Sequence, residues 1–94
     1  MTATLDTLKD RLLADSETKA AYDALEQEYA IARELIAARA RAGLSQSQLA
    51  ERMHTTQSTI ARLESGKSLP SLRTLTRYAE ATGSRAVIRL EAAH

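Results

Sequence analysis

Apolar residues in the first half of this chain recur three and four positions apart, the spacing that places side chains on one face of a helix. Leucines give this pattern to residues 5–13, and small apolar side chains continue a weaker one over 16–27. A stronger stripe, which includes Ile31 and Leu35, follows over 28–42. The spacing therefore predicts three successive helices before residue 43.

Hydroxyl and glycine residues divide the second half of the chain into three shorter helices. A serine or threonine precedes each apolar run, where its side-chain oxygen can accept a hydrogen bond from the first turn of a helix. A glycine follows the last two runs and can adopt the left-handed conformation that ends a helix. The predicted helices are 46–53, 57–65 and 72–82, with Ser45, Thr56 and Ser71 as their N-caps.

Apolar residues on the facing sides of these helices predict one shared core, and hence an all-α fold. The predicted members are Leu35, Ile36, Leu44, Leu49, Ala50, Met53, Ile60, Leu63, Leu72, Leu75 and Ala79. Behind the last helix, residues 85–91 alternate apolar and charged side chains, which is the period of a β-strand. A lone strand has no partner within this chain, so we expect it to pair with another chain.

Composition limits the classes of protein to which this chain can belong. It has 94 residues, no cysteine and 3% aromatic residues, which indicates one small domain without disulfides or thiolate metal sites. No apolar run approaches the length needed to span a bilayer, and the N-terminus lacks the cationic start of a signal peptide. We therefore expect a cytoplasmic protein with no membrane partner.

Charge is distributed unevenly along the chain. Residues 1–30 hold three Lys or Arg and seven Asp or Glu, a net charge of −4, whereas residues 31–94 hold ten and five, a net charge of +5. The basic part indicates nucleic acid as a partner, and the acidic part indicates a basic protein. The alternative interpretation is ordinary variation of charge on solvated helix faces.

The sequence contains few candidates for catalysis or metal binding. Its two histidines, His54 and His94, are forty positions apart, and neither has a second ligand at the spacing of a metal site. There is also no glycine-rich phosphate loop and no cysteine nucleophile. We expect no enzymatic activity, no metal and no cofactor.

Residues 45–64, SQSQLAERMHTTQSTIARLE, contain two helical segments joined by a turn too short for an ordinary loop. Together with their neighbours they resemble the phage-repressor-like helix-turn-helix regulators (the Cro/CI or XRE class). The resemblance covers about 32–81 and rests on Leu-Ser-Gln-x-x-Leu-Ala, Ile-x-x-Leu-Glu-x-Gly and Pro-Ser-Leu. It implies a lambda-repressor-like helical bundle that binds double-stranded DNA as a homodimer, on a palindromic operator.

The whole chain is also similar to the HigA-type antitoxins of bacteria, through residues 17–39 ahead of the motif and the strand-like SRAVIRLE behind it. This resemblance implies a cytoplasmic, nucleoid-associated protein that neutralises a cognate HigB-like or RelE-like mRNA endonuclease toxin and represses its own operon. Relatives often have proline at the position of Gln27, so residues 16–42 could here run nearly continuous. The alternatives are a stand-alone XRE-family repressor and a helical protein-interaction module that has lost DNA binding.

The resemblance implies three parts of the chain. Residues 1–28 form an acidic helical extension that binds the toxin. Residues 29–83 form the DNA-binding domain. Residues 84–94 form a tail whose strand pairs with a second copy or with the toxin.

The resemblance also implies roles for individual residues. Gln57, Ser58 and Arg62 occupy base-reading positions, where arginine can read guanine and glutamine can read adenine. The expected contacts to the DNA backbone are Gln46, Thr56, Thr59, Lys67 and Arg41. Arg39 and Glu64 are expected to form a structural ion pair. His54 occupies the turn position where glycine is usual, which predicts a positive φ there.

Overall fold

The computed structural model describes residues 16–93, so the predicted helix 5–13 lies outside the described residues. Within these residues four helices follow one another: α1, Ser16–Ala42; α2, Gln46–Arg52; α3, Gln57–Leu63; and α4, Leu72–Ala81. The all-α class is therefore confirmed for the part of the chain that the structure describes. Among residues 16–93 we find no helix that could span a membrane.

Helix α1 is continuous over 27 residues. The break predicted between 27 and 28 is wrong, and the alternative of one uninterrupted helix is confirmed. The segment around Gln27 contains only good helix formers and no glycine or proline, so nothing local interrupts the backbone hydrogen bonds. Its C-terminal half faces the core through Ala32, Leu35 and Ala38, whereas most of its N-terminal half is exposed.

All three predicted N-caps of the shorter helices are confirmed. The Ser45 side chain accepts a hydrogen bond from the backbone N–H of Gln48, whose side chain in turn accepts from the Ser45 N–H, so the capping box is complete. Thr56 and Ser71 cap α3 and α4 in the same way, each through the backbone N–H three residues on. These local bonds satisfy donors that a helix start leaves unpaired.

The core lies where α1 and α4 close over the α2–α3 pair. Leu49, Ile60 and Tyr78 are its most completely buried side chains. Two predicted members lie outside it: Ile36 is 40% exposed and Leu72 is 59% exposed. Ile36 follows Leu35 by about 100° around the helix, and Leu72 is the first residue of α4, so each points away from the shared interior.

The tail, residues 84–93, contains no helix or strand. The strand predicted for 85–91 is therefore not formed in the single chain, because a strand is held by hydrogen bonds to a neighbour and none is present. The Ser84 N–H donates to the Ala79 carbonyl oxygen at 2.8 Å, and beyond it the described tail makes no backbone–backbone hydrogen bond. Its apolar residues Val87, Ile88 and Leu90 are 74%, 62% and 94% exposed.

The turn between α2 and α3 bends at His54, which has a φ of 54°. The predicted positive φ is confirmed. The Thr55 N–H donates to the Ala50 carbonyl oxygen at 2.9 Å, and Arg77 of α4 donates to the Met53 carbonyl oxygen at 2.6 Å. The bend is thus stabilised by backbone bonds and by α4, and the His54 side chain is exposed.

His54→Gly should stabilise the protein by up to about 1 kcal/mol, because glycine adopts positive φ without the crowding of a Cβ. His54→Ala keeps the Cβ and should bring no gain. Urea denaturation of the two variants and the parent measures the free energies of unfolding. A loss of stability in His54→Gly would contradict the assignment of strain to this residue.

The loop after α3 is joined to α1 through Gly66. This glycine is buried with a φ of 74°, and a Cβ built there would lie 2.5 Å from Cδ1 and 2.8 Å from Cε1 of Tyr29. The tyrosine ring thus packs directly on the glycine backbone. This contact fixes the middle of α1 against the loop that leaves α3.

Candidate nucleic-acid interface

The candidate interface is built around α3, whose buried and exposed faces are clearly separated. Ile60 is fully buried against the core, and α2 packs along the same side. The three residues expected to read bases, Gln57, Ser58 and Arg62, are all exposed. Ser58 and Arg62 are four positions apart and so lie one turn above the other. The helix therefore presents one polar, donor-rich side to solvent.

The hydroxyls at the start of α3 are already engaged with each other. Thr56 Oγ1 accepts from the Thr59 N–H at 3.2 Å and lies 3.0 Å from Thr59 Oγ1. Thr56 is exposed and Thr59 is half-buried. Both threonines therefore help to hold the N-terminus of α3, whatever they contact in addition.

A row of side-chain hydrogen bonds runs from the buried Glu64 to the exposed Gln57. Gln46 Nε2 donates to Glu64 Oε1 at 3.2 Å, and Gln57 Nε2 donates to Gln46 Oε1 at 2.6 Å. An ionised carboxylate only accepts, so it sets the direction of both amides. Gln57 consequently keeps its Oε1 and one amide hydrogen for a further partner. This is the donor–acceptor pair that bidentate reading of adenine uses.

The predicted pairing of Arg39 with Glu64 is present in the structure. Arg39 Nε and Nη2 each lie 2.8 Å from a different oxygen of the Glu64 carboxylate, in a bidentate arrangement. Arg39 Nη1 also donates to the Leu44 carbonyl oxygen at 3.0 Å. The pair therefore joins the end of α1 to the end of α3, with 19% of the arginine side chain and 3% of the glutamate side chain exposed.

Tyr78 completes this network, and sequence reasoning did not assign it a role. Its hydroxyl lies 2.6 Å from Glu64 Oε2 and 2.8 Å from the Leu35 carbonyl oxygen. The side chain is 1% exposed, and a buried tyrosine hydroxyl requires a partner. Tyr78 is the only aromatic residue after position 29, a composition signal that could have marked it.

The charges in the network stabilise one another. Burial by itself would raise the pKa of Glu64, but hydrogen bonds from Arg39, Tyr78 and Gln46 outweigh it and bring the pKa below the ordinary value. The bond to Glu64 raises the pKa of Arg39. Burial, followed by the neighbouring carboxylate, raises the pKa of Tyr78. At neutral pH the carboxylate is thus ionised and the phenol is a donor.

The two other predicted backbone contacts lie apart from this row. Arg41 is exposed in the last turn of α1, and Lys67 is exposed in the loop after Gly66. The Lys67 backbone N–H donates to Ser65 Oγ at 3.2 Å. Within the described chain no hydrogen bond links Arg41 or Lys67 to Gln46 or Gln57, so they are free surface cations near the ends of α1 and α3.

Comparison with known proteins matches this chain to one family. A family model described as helix-turn-helix, of the XRE type, covers residues 35–87, more than half of the chain. No curated protein and no solved structure matches the chain. Domains of this family bind DNA and are typically not enzymes, and within residues 16–93 no group of three or more His, Asp or Glu could hold a metal ion. The match includes α2, α3 and α4 and leaves out α1 before Leu35.

Proposed function

The chain belongs to the helix-turn-helix family of DNA-binding transcription regulators, and from this premise we propose that it represses its own operon as a dimer and neutralises a cognate protein toxin. The observation that carries the DNA-binding part is the hydrogen-bonded row from Glu64 through Gln46 to Gln57. It holds an exposed amide in a fixed orientation at the start of α3. A side chain held in this way loses little conformational freedom when it binds.

In the proposed complex α3 lies in the major groove. Arg62 reads guanine O6 and N7, Gln57 reads adenine, and Ser58 contacts a neighbouring base edge. The DNA backbone is contacted by Gln46, Thr56, Thr59, Lys67 and Arg41. Two copies place their α3 helices in successive major grooves, about 34 Å apart, on a palindromic operator.

Arg62→Ala should weaken binding to the operator by about 1–3 kcal/mol and relax the preference at one base pair, because the loss removes a base contact. Arg41→Ala is the matched control. If Arg41 contacts only phosphate, its loss weakens binding to all sequences alike and lowers the slope of affinity against salt by about 1. Titration of operator and single-base variants at several salt concentrations separates the two. Uniform weakening by Arg62→Ala would make Arg62 a phosphate contact.

Two features support the toxin-binding part of the proposal. Residues 1–30 carry a net charge of −4, which suits the small basic endonucleases expected from the resemblance to HigA-type antitoxins. The described part of this segment is an exposed helix outside the family match, with Leu25 48% exposed beside Asp23 and Glu26. An acidic helix with an exposed leucine fits a basic, partly apolar partner surface. Binding of the toxin would then couple its neutralisation to repression.

Deletion of residues 1–28 should abolish toxin neutralisation and leave operator binding largely intact, since the core and α2–α4 lie beyond it. Growth rescue in cells that express the product of the neighbouring gene measures neutralisation, and a gel shift measures DNA binding. As a control that keeps the full length of the chain, the double variant Asp23→Lys/Glu26→Lys reverses two of the acidic charges. It should also fail to rescue growth. A truncated protein that still rescues would place the toxin site elsewhere. If the product of the neighbouring gene is not toxic, the stand-alone repressor is the remaining interpretation.

A further inference from the structure

We infer that two copies of this chain pair residues 85–91 of their tails as antiparallel strands, with the two-fold axis at Ile88. This inference rests on the proposed dimer and specifies its interface. The tail is suited to such pairing because its described backbone makes no hydrogen bond to the rest of the chain beyond Ser84. Its large apolar side chains, Val87, Ile88 and Leu90, are exposed. A second copy supplies both the missing ladder and an apolar surface.

Charge complementarity determines the register. When an antiparallel pair is centred on Ile88, Arg85 lies opposite Glu91 of the partner subunit, and the symmetry repeats this pair at the other end. Opposite charges directly across two strands stabilise the pair. The same register places Ala86 opposite Leu90 of the partner subunit. A small and a large apolar side chain then fill one face together with the central Ile88.

Neighbouring registers are less favourable. An axis at Val87 would place Arg85 opposite Arg89 of the partner subunit. An axis at Arg89 would place the two copies of Arg89 opposite each other. Like charges in directly opposite positions destabilise a sheet. An axis at Leu90 would place Glu91 opposite Arg89 of the partner subunit, but Arg85 would then lie beyond the paired residues. That register therefore leaves Arg85 without a carboxylate.

The absence of cysteine from the chain allows a direct test of the register with single-cysteine variants of the full-length protein. In Ile88→Cys the two sulfurs meet on the axis, where directly opposite Cα atoms lie about 4.5–5.5 Å apart and can form a disulfide. In Leu90→Cys they are offset by about 13 Å along the strands and cannot. Mild oxidation should therefore yield a covalent dimer of Ile88→Cys only. Cross-linking of Leu90→Cys alone would overturn the inference. Cross-linking of neither variant would also overturn it and would indicate that the tail pairs with a different protein.

Charge exchange provides a second, independent measurement. Arg85→Glu and Glu91→Arg should each raise the dimer dissociation constant about tenfold or more, because two symmetric pairs become repulsive. The double variant Arg85→Glu/Glu91→Arg should restore it. Arg89→Glu is the matched control: because Arg89 lies opposite Val87 of the partner subunit, this change should raise the dissociation constant much less than Arg85→Glu does. Additive losses in Arg85→Glu/Glu91→Arg would overturn the register.

Sedimentation without DNA measures the dimer, and a duplex carrying half of the operator measures DNA binding by one domain. The tail variants should bind the half-site duplex as the parent does and lose affinity only for the full palindrome. Failure of the parent to bind either duplex would instead count against the proposed DNA function. The two failures are therefore distinguishable.

Discussion

Gly66→Ala should destabilise this protein by about 3 kcal/mol or more, whereas the same substitution at Gly43 should cost about 1 kcal/mol. Both glycines have a positive φ, 74° and 69°, so both variants place an alanine in the left-handed region. The difference is the space available. A Cβ at Gly66 would overlap the Tyr29 ring, and a Cβ at Gly43 has no atom within 4 Å.

The Tyr29 contact can be tested by its removal. In the double variant Tyr29→Ala/Gly66→Ala the overlap is gone, and only the cost of the positive φ and of the lost ring contact should remain. The double variant should therefore lose less than the sum of the two single changes. Gly83→Ala, which also has an open position at a φ of 69°, should behave like Gly43→Ala. Equal losses at Gly43 and Gly66 in urea denaturation would show that the ring does not restrict the loop.

Arg39→Met should cost about 3–5 kcal/mol, because it leaves the Glu64 carboxylate buried without its guanidinium partner. Glu64→Gln should cost less. Arg39 keeps 19% of its side chain exposed, against 3% for Glu64, so the orphaned arginine can be hydrated and the orphaned carboxylate cannot. The double variant should lose less than the sum of the two, since neither charge is then left alone. A larger loss in Glu64→Gln than in Arg39→Met would contradict this order.

The destabilisation caused by Arg39→Met should also depend on pH, because the Arg39–Glu64 pair includes a titratable carboxylate. In the folded protein the pKa of Glu64 lies below its ordinary value of 4.5. Its contribution to stability is therefore fully present above 4.5 and is lost as the pH falls through the lower folded value. The difference in unfolding free energy between the parent and Arg39→Met should be large at pH 7 and should shrink in acid, where Glu64 is protonated in both. If the difference in unfolding free energy stayed constant from pH 7 into acid, the ion pair would not be the source of the destabilisation.

Much of the local structure was determined by the sequence itself. The N-caps at Ser45, Thr56 and Ser71 depend on residues a few positions away, and each is present as predicted. The positive φ of His54 is also present, but it was expected from the position of this residue in the family motif. The face of α3 that carries Arg62 also follows from helical periodicity once Ile60 is known to be apolar. The pairing of Arg39 with Glu64 came from resemblance to a family, since no local rule connects residues 25 positions apart.

The sequence pattern does not determine which helices meet or which side chains lie between them. Periodicity identifies an apolar face but not how far the neighbouring helix covers it, so Ile36 and Leu72 were expected inside and are exposed. The Gln46–Gln57 bond and the place of Tyr78 in the network depend on how α1, α3 and α4 cross. The tail is a further example. The alternation along 85–91 determines which side chains would share a face, but a strand forms only when another backbone supplies its hydrogen bonds.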